Sequence, residues 1–159
     1  MTTLAITGHR GLPGPIERLV ADALRAEVAQ RADGGLVGMS CLADGPDSLF
    51  ARHLLESGGE LVVVVPAEHY RDGLPADHHA TYDALLARAA RVIRLKHTES
   101  DSEAHMTASL RMLAEADELV AVWDGNPARG YGGTADVVQA ARERGVPVTV
   151  LWPEGATRD

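Results

Sequence analysis

The sequence predicts an α/β fold, a Rossmann-like three-layer sandwich around a mostly parallel six-stranded sheet, and three observations predict it. Short apolar, β-branched runs alternate along the whole chain with stretches whose apolar residues recur at helical spacing. One run, Leu61 to Val65, is apolar at every position, as in a strand covered on both faces of a parallel sheet. The strand-like runs also end repeatedly in glycine and polar residues ahead of a helix. Sheets of this class hold ligands outside those strand ends.

Each element has its own signature. Leu4 to Thr7 is a short apolar strand broken at Gly8, and Ile16, Leu19, Val20, Ala23, Leu24 and Val28 then mark an amphipathic helix to about Gln30. Gly35 to Ser40 reads as the second strand. Pro46 to Ser57 reads as a helix with Leu49, Phe50, His53 and Leu54 on one face and Gly58-Gly59 as its stop. Leu61 to Val65 is the third strand, followed by a polar excursion from Ala67 to about Ala80 and a helix through Leu85, Leu86 and Ala89. Val92 to Leu95 is the fourth strand, Glu103 to Glu115 a helix, and Leu119 to Trp123 the fifth strand. A helix from about Ala135 to Arg144 and a sixth strand from Val148 to Trp152 complete the series. Strands alternating with helices imply right-handed crossovers in one sheet, and the whole of 1–159 is expected to form a single domain.

Composition narrows the function. The apolar fraction of 45% and charged fraction of 24% are those of a globular protein. A net charge of −8 with mixed signs argues against a nucleic-acid surface or an anionic membrane as partner. The single cysteine, Cys41, excludes an internal disulfide and points to a reducing, cytoplasmic compartment. A strand-like N-terminus leaves no room for a signal peptide. The apolar run Glu60 to Pro66 is too short to span a bilayer. Abundant Ala, Gly, Arg and Val with little Lys suggest a GC-rich bacterial genome.

The most informative segment is WDGNPARGYGGTADVV, Trp123 to Val138. Gly130, Gly132 and Gly133 precede a helix start, where bare backbone N–H groups and the positive end of the dipole favour an anion such as phosphate. Thr134 is suited to N-capping and Asp136 to the first turn, so both have purely structural readings beside a ligand-binding one. Trp123 ends the apolar strand and reads as core, although it and Tyr131 are also capable of stacking on a base. Two other strand ends join this loop. At the first, Gly8 and Gly11 allow close backbone approach, His9 lies between them, and Arg10 offers a planar cation for phosphate. At the second, Asp44 and Asp47 either cap the Pro46 helix or accept hydrogen bonds from ribose hydroxyls. Asp124, after strand five, is a further candidate for sugar hydroxyls. Glu68 and Tyr70, after strand three, are candidates for the cleft.

Several signals carry little. Gly130-x-Gly132-x-x-Ala135 fits a relaxed dinucleotide fingerprint but lies several residues beyond its strand. No Gly-Lys-Ser/Thr is present, which excludes a Walker-type NTPase. His69, His78, His79, His97 and His105 lack a repeated ligand spacing, so no metal and no cofactor is expected. Cys41 has no obvious local base and reads as a buried small residue, not a nucleophile.

The segments Ile6-Thr7-Gly8-His9-Arg10, Leu42-Ala43-Asp44-Gly45-Pro46-Asp47, and Ala121-Val122-Trp123-Asp124-Gly125 followed by Gly132-Gly133-Thr134-Ala135-Asp136 together resemble the SLOG superfamily. That group joins DNA-processing protein A, the Lonely Guy phosphoribohydrolases and many small bacterial proteins. The resemblance implies a Rossmannoid domain that recognises nucleotides or nucleotide-derived ligands, frequently as a homodimer. Lonely Guy enzymes carry Pro-Gly-Gly-x-Gly-Thr-x-x-Glu with a catalytic Glu, and an Arg-Lys pair on the preceding helix. Here Val137 stands three residues after Thr134, and Ala108 and Ser109 stand about where the basic pair belongs. Gly132, Gly133 and Thr134 match that pattern, with Asp136 as a displaced carboxylate. The expectation is therefore a nucleotide-binding protein with phosphate on Gly132 to Thr134 and Gly8 to Arg10 as the opposite wall. The alternative is an N-glycoside hydrolase or transferase acting on nucleoside monophosphates, with Asp136, Asp124 or Asp44 supplying the carboxylate.

Overall fold

The computed structural model describes residues 1–128 and 130–156. Its strands are β1 (Thr2–Gly8), β2 (Leu36–Ser40), β3 (Glu60–Ala67), β4 (Arg91–His97), β5 (Glu118–Val122) and β6 (Val148–Leu151). Its helices are α1 (Gly14–Arg31), α2 (Pro46–Glu56), α3 (His79–Ala87), α4 (Ser102–Glu115) and α5 (Thr134–Glu143). The strands form one sheet in the order β4-β3-β2-β1-β5-β6, and every pairing is parallel. The predicted fold class is the one observed.

Chain order moves outward from β1 through β2 and β3 to β4, then returns to the other side of β1 for β5 and β6. Right-handed crossovers therefore place α1, α2 and α3 on one face and α4 and α5 on the other. The reversal falls between β1 and β5, which makes their carboxyl ends the expected place for a crevice. Packing explains the elements. In α1, Ile16, Val20, Leu24 and Val28 recur every four residues and are all buried. In α2, Phe50 and Leu54 lie directly over Gly38 of β2, where a Cβ would come within 2.5 Å of Leu54 and 2.8 Å of the Phe50 ring. Residues Leu61 to Ala67 of β3 are all buried, consistent with a strand covered on both faces. Arg31 at the end of α1 pairs with Glu27 one turn back and ties the helix to Glu118 of β5, and Thr149 of β6 donates to the same Glu118 carboxylate at 2.6 Å.

Three local expectations are revised. β5 stops at Val122, because Trp123 turns out of the strand and its indole N–H donates to the Asn126 carbonyl at 2.8 Å. Trp123 is partly exposed, with the Arg142 guanidinium 5.8 Å from its ring centroid. At α5 the N-cap is Gly133, in extended conformation and without a side-chain cap, and Thr134 is the first helical residue. The excursion after β3 is ordered by two short 3-10 turns, Arg71–Gly73 and Ala76–His78, which pin Tyr70, Leu74 and His78 into the interior.

Candidate ligand-binding cleft

The carboxyl ends of β1, β2 and β3 meet α4 around an inner pocket of about 110 Å³. Its walls come from Ile6 to Gly8, Cys41, Ala43, Pro66 and Tyr70, with His105, Ser109 and Met112 closing it from one stripe of α4. An outer pocket of about 370 Å³ lies between the β1–α1 loop and the start of α5, lined by Thr7 to Arg10 and Gly130 to Thr134. Thr7, Gly8, Arg10, His105 and Gly132 line both, so the two form one continuous cleft.

The β2–α2 loop that floors the inner pocket is held in an unusual conformation. Leu42 is fully buried with φ of 58°, a left-handed backbone that costs a non-glycine residue roughly 1–2 kcal/mol. The turn is over-determined by side chains. The Ser40 hydroxyl accepts from the Leu42 amide at 3.0 Å and donates to the Asp47 carbonyl at 3.0 Å. Ser48 donates to the Ala43 carbonyl at 2.7 Å, and His78, reaching over from the second 3-10 turn, places Nε2 3.0 Å from the Leu42 carbonyl. A carbonyl only accepts, so Nε2 carries the proton.

This loop presents Asp47 to the inner pocket. Burial pushes its carboxyl up to about 7, with the charge of Asp44 adding to the shift and the Ala43 amide and Arg10 opposing it. Burial likewise pushes the Cys41 thiol and the Tyr70 phenol up, and pulls His105 down. Tyr70 is 4% exposed, lies edge-on to Tyr82 and His105, and its hydroxyl has no hydrogen-bond partner among the described residues. His105 Nε2 lies 2.7 Å from the Ser100 hydroxyl.

The predicted site residues divide between the cleft and the framework behind it. Gly8, His9, Arg10, Gly132, Gly133 and Thr134 line the outer pocket, and Asp47 the inner one. Asp44, Asp124 and Asp136 are engaged within the protein and line neither. Arg10 directs Nε and Nη2 at Asp44 Oδ1, at 2.8 and 2.7 Å. His9 is 4% exposed, with Nε2 3.1 Å from the Asp124 amide and 3.2 Å from its carboxylate, and its ring stands edge-on to Trp152. Burial raises the Asp124 carboxyl, but hydrogen bonds from Asn126 and the proximity of His9 outweigh it and hold the group down at about 2. Asp136 Oδ2 accepts the Gly132 amide at 2.9 Å and so fastens the glycine loop to the first turn of α5.

The glycines also have an internal cause. A Cβ on Gly8 would come within 2.8 Å of Pro46, and one on Gly133 within 2.9 Å of Ala128. Gly132 has φ of 84°, and a Cβ there would meet the Ser102 carbonyl at 2.9 Å. The Gly132 amide is taken by Asp136 and the Gly133 amide by the Gly130 carbonyl. Of the loop's donors, the amides of Thr134 and Ala135 have no partner among the described residues. Of the two candidates after strand three, Tyr70 lines the inner pocket and Glu68 lines neither, while the lining contributed by Cys41, His105, Ser109 and Met112 was not assembled from the sequence. The one available signal was the spacing of His105, Ser109 and Met112 on a single helix face. Among the described residues, no three His, Cys, Asp or Glu side chains converge as a metal site, and no helix is long and apolar enough to cross a membrane.

No protein-family model and no curated protein sequence matches this chain. Its fold, however, is shared by solved structures. DNA processing protein A from Streptococcus pneumoniae matches with a TM-score of 0.68 at 15% identity, over 98% of this chain and 52% of that one. The same protein from Helicobacter pylori, described by its single-stranded DNA binding mode, matches with 0.66 at 16% identity, over 98% and 68%. The molybdenum cofactor binding protein from Rippkaea orientalis matches with 0.59 at 14% identity, over 96% and 77%. At these identities the likeness establishes the fold alone, a parallel Rossmann-like sheet.

Proposed function

We propose that the cleft binds a nucleotide or nucleotide-derived phosphorylated ligand, with the ring inward and the phosphate at the start of α5. The observation that carries this reading is the continuity of two unlike pockets at the β1/β5 reversal. One is small and lined mostly by uncharged side chains, with the Asp47 carboxyl and Arg10 at its wall. The other is open and bordered by Arg10 and the first residues of α5, whose dipole favours an anion. Binding is preferred to cleavage because the carboxylates nearest the glycine loop are committed elsewhere, Asp136 to the Gly132 amide and Asp124 to His9 and Asn126. A small molecule is preferred to a nucleic-acid strand because Arg10, the arginine lining the cleft among the described residues, is paired with Asp44.

The test is a thermal-shift panel of nucleotides on the wild type and on Thr134→Pro. Residue 134 is the first helical position, where proline is well accommodated, and Gly133 before it has φ of −71° and ψ of 176°, the conformation a following proline favours. The substitution therefore removes one unpartnered amide while leaving the helix intact. A charge-assisted hydrogen bond contributes about 1.5–3 kcal/mol, so phosphate-dependent affinity should fall roughly tenfold or more. Lack of stabilisation by every nucleotide, or an equal response in Thr134→Pro, rejects the reading. Release of free base from nucleoside monophosphates would replace it with the hydrolytic alternative.

We further propose that the protein self-associates through β6. The Leu119 and Trp123 amides bond to the Pro147 and Leu151 carbonyls, so the backbone groups of Val148, Val150 and Trp152 point away from the sheet. That edge carries no charge between Pro147 and Pro153, and Val150 is 41% exposed. The opposite edge, β4, is guarded by Arg91, Arg94 and Lys96. Antiparallel pairing of two β6 strands about Val150 would satisfy all the outward groups.

A further inference from the structure

The inner pocket poses a problem that the nucleotide reading leaves open, namely what Asp47 does there. At about 110 Å³ the pocket is below the usual size of a whole ligand site and suits one ring, with the rest of the molecule in the outer pocket. The pocket that Asp47 lines is also walled by Ile6, Ala43, Pro66 and Met112, and the Asp47 carboxyl accepts the Ala43 amide. Arg10, the cation whose charge acts on the carboxyl, spends both Nε and Nη2 on a single oxygen of Asp44. The other titratable groups facing Asp47 are Cys41 and Asp44 from its own loop, Tyr70 from the turn after β3, and His105 from α4. None of these supplies a second cation, since burial disfavours the charged form of His105 as well. Tyr70 lines the same space, and its hydroxyl has no hydrogen-bond partner among the described residues, so it is free to bond a ligand there.

We propose that Asp47 meets the ligand as an uncharged carboxylic acid, donating one hydrogen bond and accepting another from the edge of an uncharged heterocycle seated in the inner pocket. This rests on the cleft being a nucleotide site, and it specifies the ring: one that presents an acceptor beside a donor, as amidine-like and lactam-like edges do. A carboxylic acid offers an O–H and a carbonyl side by side and matches either edge with two bonds. A carboxylate offers only acceptors and would face the ring's acceptor unfavourably. Binding therefore keeps the proton on Asp47, and above its titration range the ligand must recruit one from solvent. Asparagine reproduces the paired donor and acceptor without the titration.

Calorimetric titration with adenosine and inosine tests this, because nucleosides avoid the ionisation of a phosphate over the same range. Wild-type affinity should be about tenfold weaker at about pH 8 than at about pH 6, with proton uptake seen as a dependence of the heat on buffer ionisation enthalpy. In Asp47→Asn the pH dependence and the proton uptake should vanish together. In Asp47→Ala binding should be weak at every pH. Persistence of the profile in His105→Gln assigns it to Asp47. A flat wild-type profile, a profile retained in Asp47→Asn, or nucleotides that stabilise the protein while nucleosides fail to bind would overturn the assignment and leave the nucleotide reading standing. A panel in which neither nucleotides nor nucleosides bind removes the nucleotide reading itself, and this inference with it.

Discussion

Asp47→Asn should stabilise the free protein progressively as pH rises. The carboxyl titrates near 3.8 in an unfolded chain and at about 7 in the fold. The folded state therefore holds this proton more tightly. Between about pH 4 and about pH 7 the unfolded chain has already released it, so wild-type stability falls with pH across that window and levels off above it. A separation of about 3 units sets a ceiling of about 4 kcal/mol. Asp47 is partly rather than fully buried, and solvent relaxation should reduce the effect to about half of that. Asparagine is nearly isosteric, makes the same contacts as the neutral acid, and has no such slope. The difference between variant and wild type should thus be smallest near pH 4 and reach about 2 kcal/mol near pH 8. For a chain of this length that is roughly 4–8 °C in Tm. Urea unfolding across a pH series measures it directly. Parallel stability curves for the two proteins, or a gap that widens toward acid, would refute the reasoning.

Further outcomes follow from the packing and the hydrogen bonds. Gly38→Ala should cost about 1–3 kcal/mol, read by urea unfolding, because the new methyl collides with Leu54 and the Phe50 ring. Ser48→Ala should loosen the strained turn at Leu42 by removing its bond to the Ala43 carbonyl, seen as faster amide exchange over residues 41–47 with a loss of about 1 kcal/mol. At the acid end, the Asp124 carboxyl held at about 2 stabilises the fold above its ordinary range near 3.8, and this contribution should be lost as pH falls through about 2. Asp124→Asn should therefore flatten the acid limb of the stability profile. Val150→Pro removes one outward N–H of β6 and should convert an associated species to monomer by sedimentation equilibrium, with the circular dichroism unchanged.

The fold was legible because its signals are local. Alternation of apolar runs with helical periodicity located the elements, and the fully apolar run of β3 announced a doubly covered strand. The cleft was legible only where it rests on strand ends with glycine. Gly8, Arg10, Gly132 and Thr134 were found in this way, and all line it. Tyr70 was legible only as a candidate beside Glu68, and His78 and His105 were not placed, for a physical reason. Their positions depend on two short 3-10 turns and on the approach of α4 to β3, contacts that connect residues far apart in the chain. Electrostatic partnering was equally invisible. A sequence gives no means of telling that Arg10 is already neutralised by Asp44, or that Asp136 reaches back to Gly132 rather than outward.

The glycines between Gly8 and Gly133 illustrate how a motif and its physical cause can differ. Read as a motif, they are the grip on a phosphate. In the fold three of them are required where they stand by a neighbour within about 3 Å: Pro46 for Gly8, the Ser102 carbonyl for Gly132, Ala128 for Gly133. Replacing any of them would disturb the loop whether or not an anion ever binds, so such variants do not separate structure from function. The amides of Gly132 and Gly133 are themselves consumed in closing the loop. What Gly132 achieves is to bring the β5–α5 chain tightly against α4, with Thr134, whose amide has no partner among the described residues, lining the outer pocket. On the proposed reading, the informative positions are therefore Thr134 and Asp47, not the glycines. Substitutions there, and not in the glycine loop, distinguish a ligand-binding cleft from a well-packed strand end.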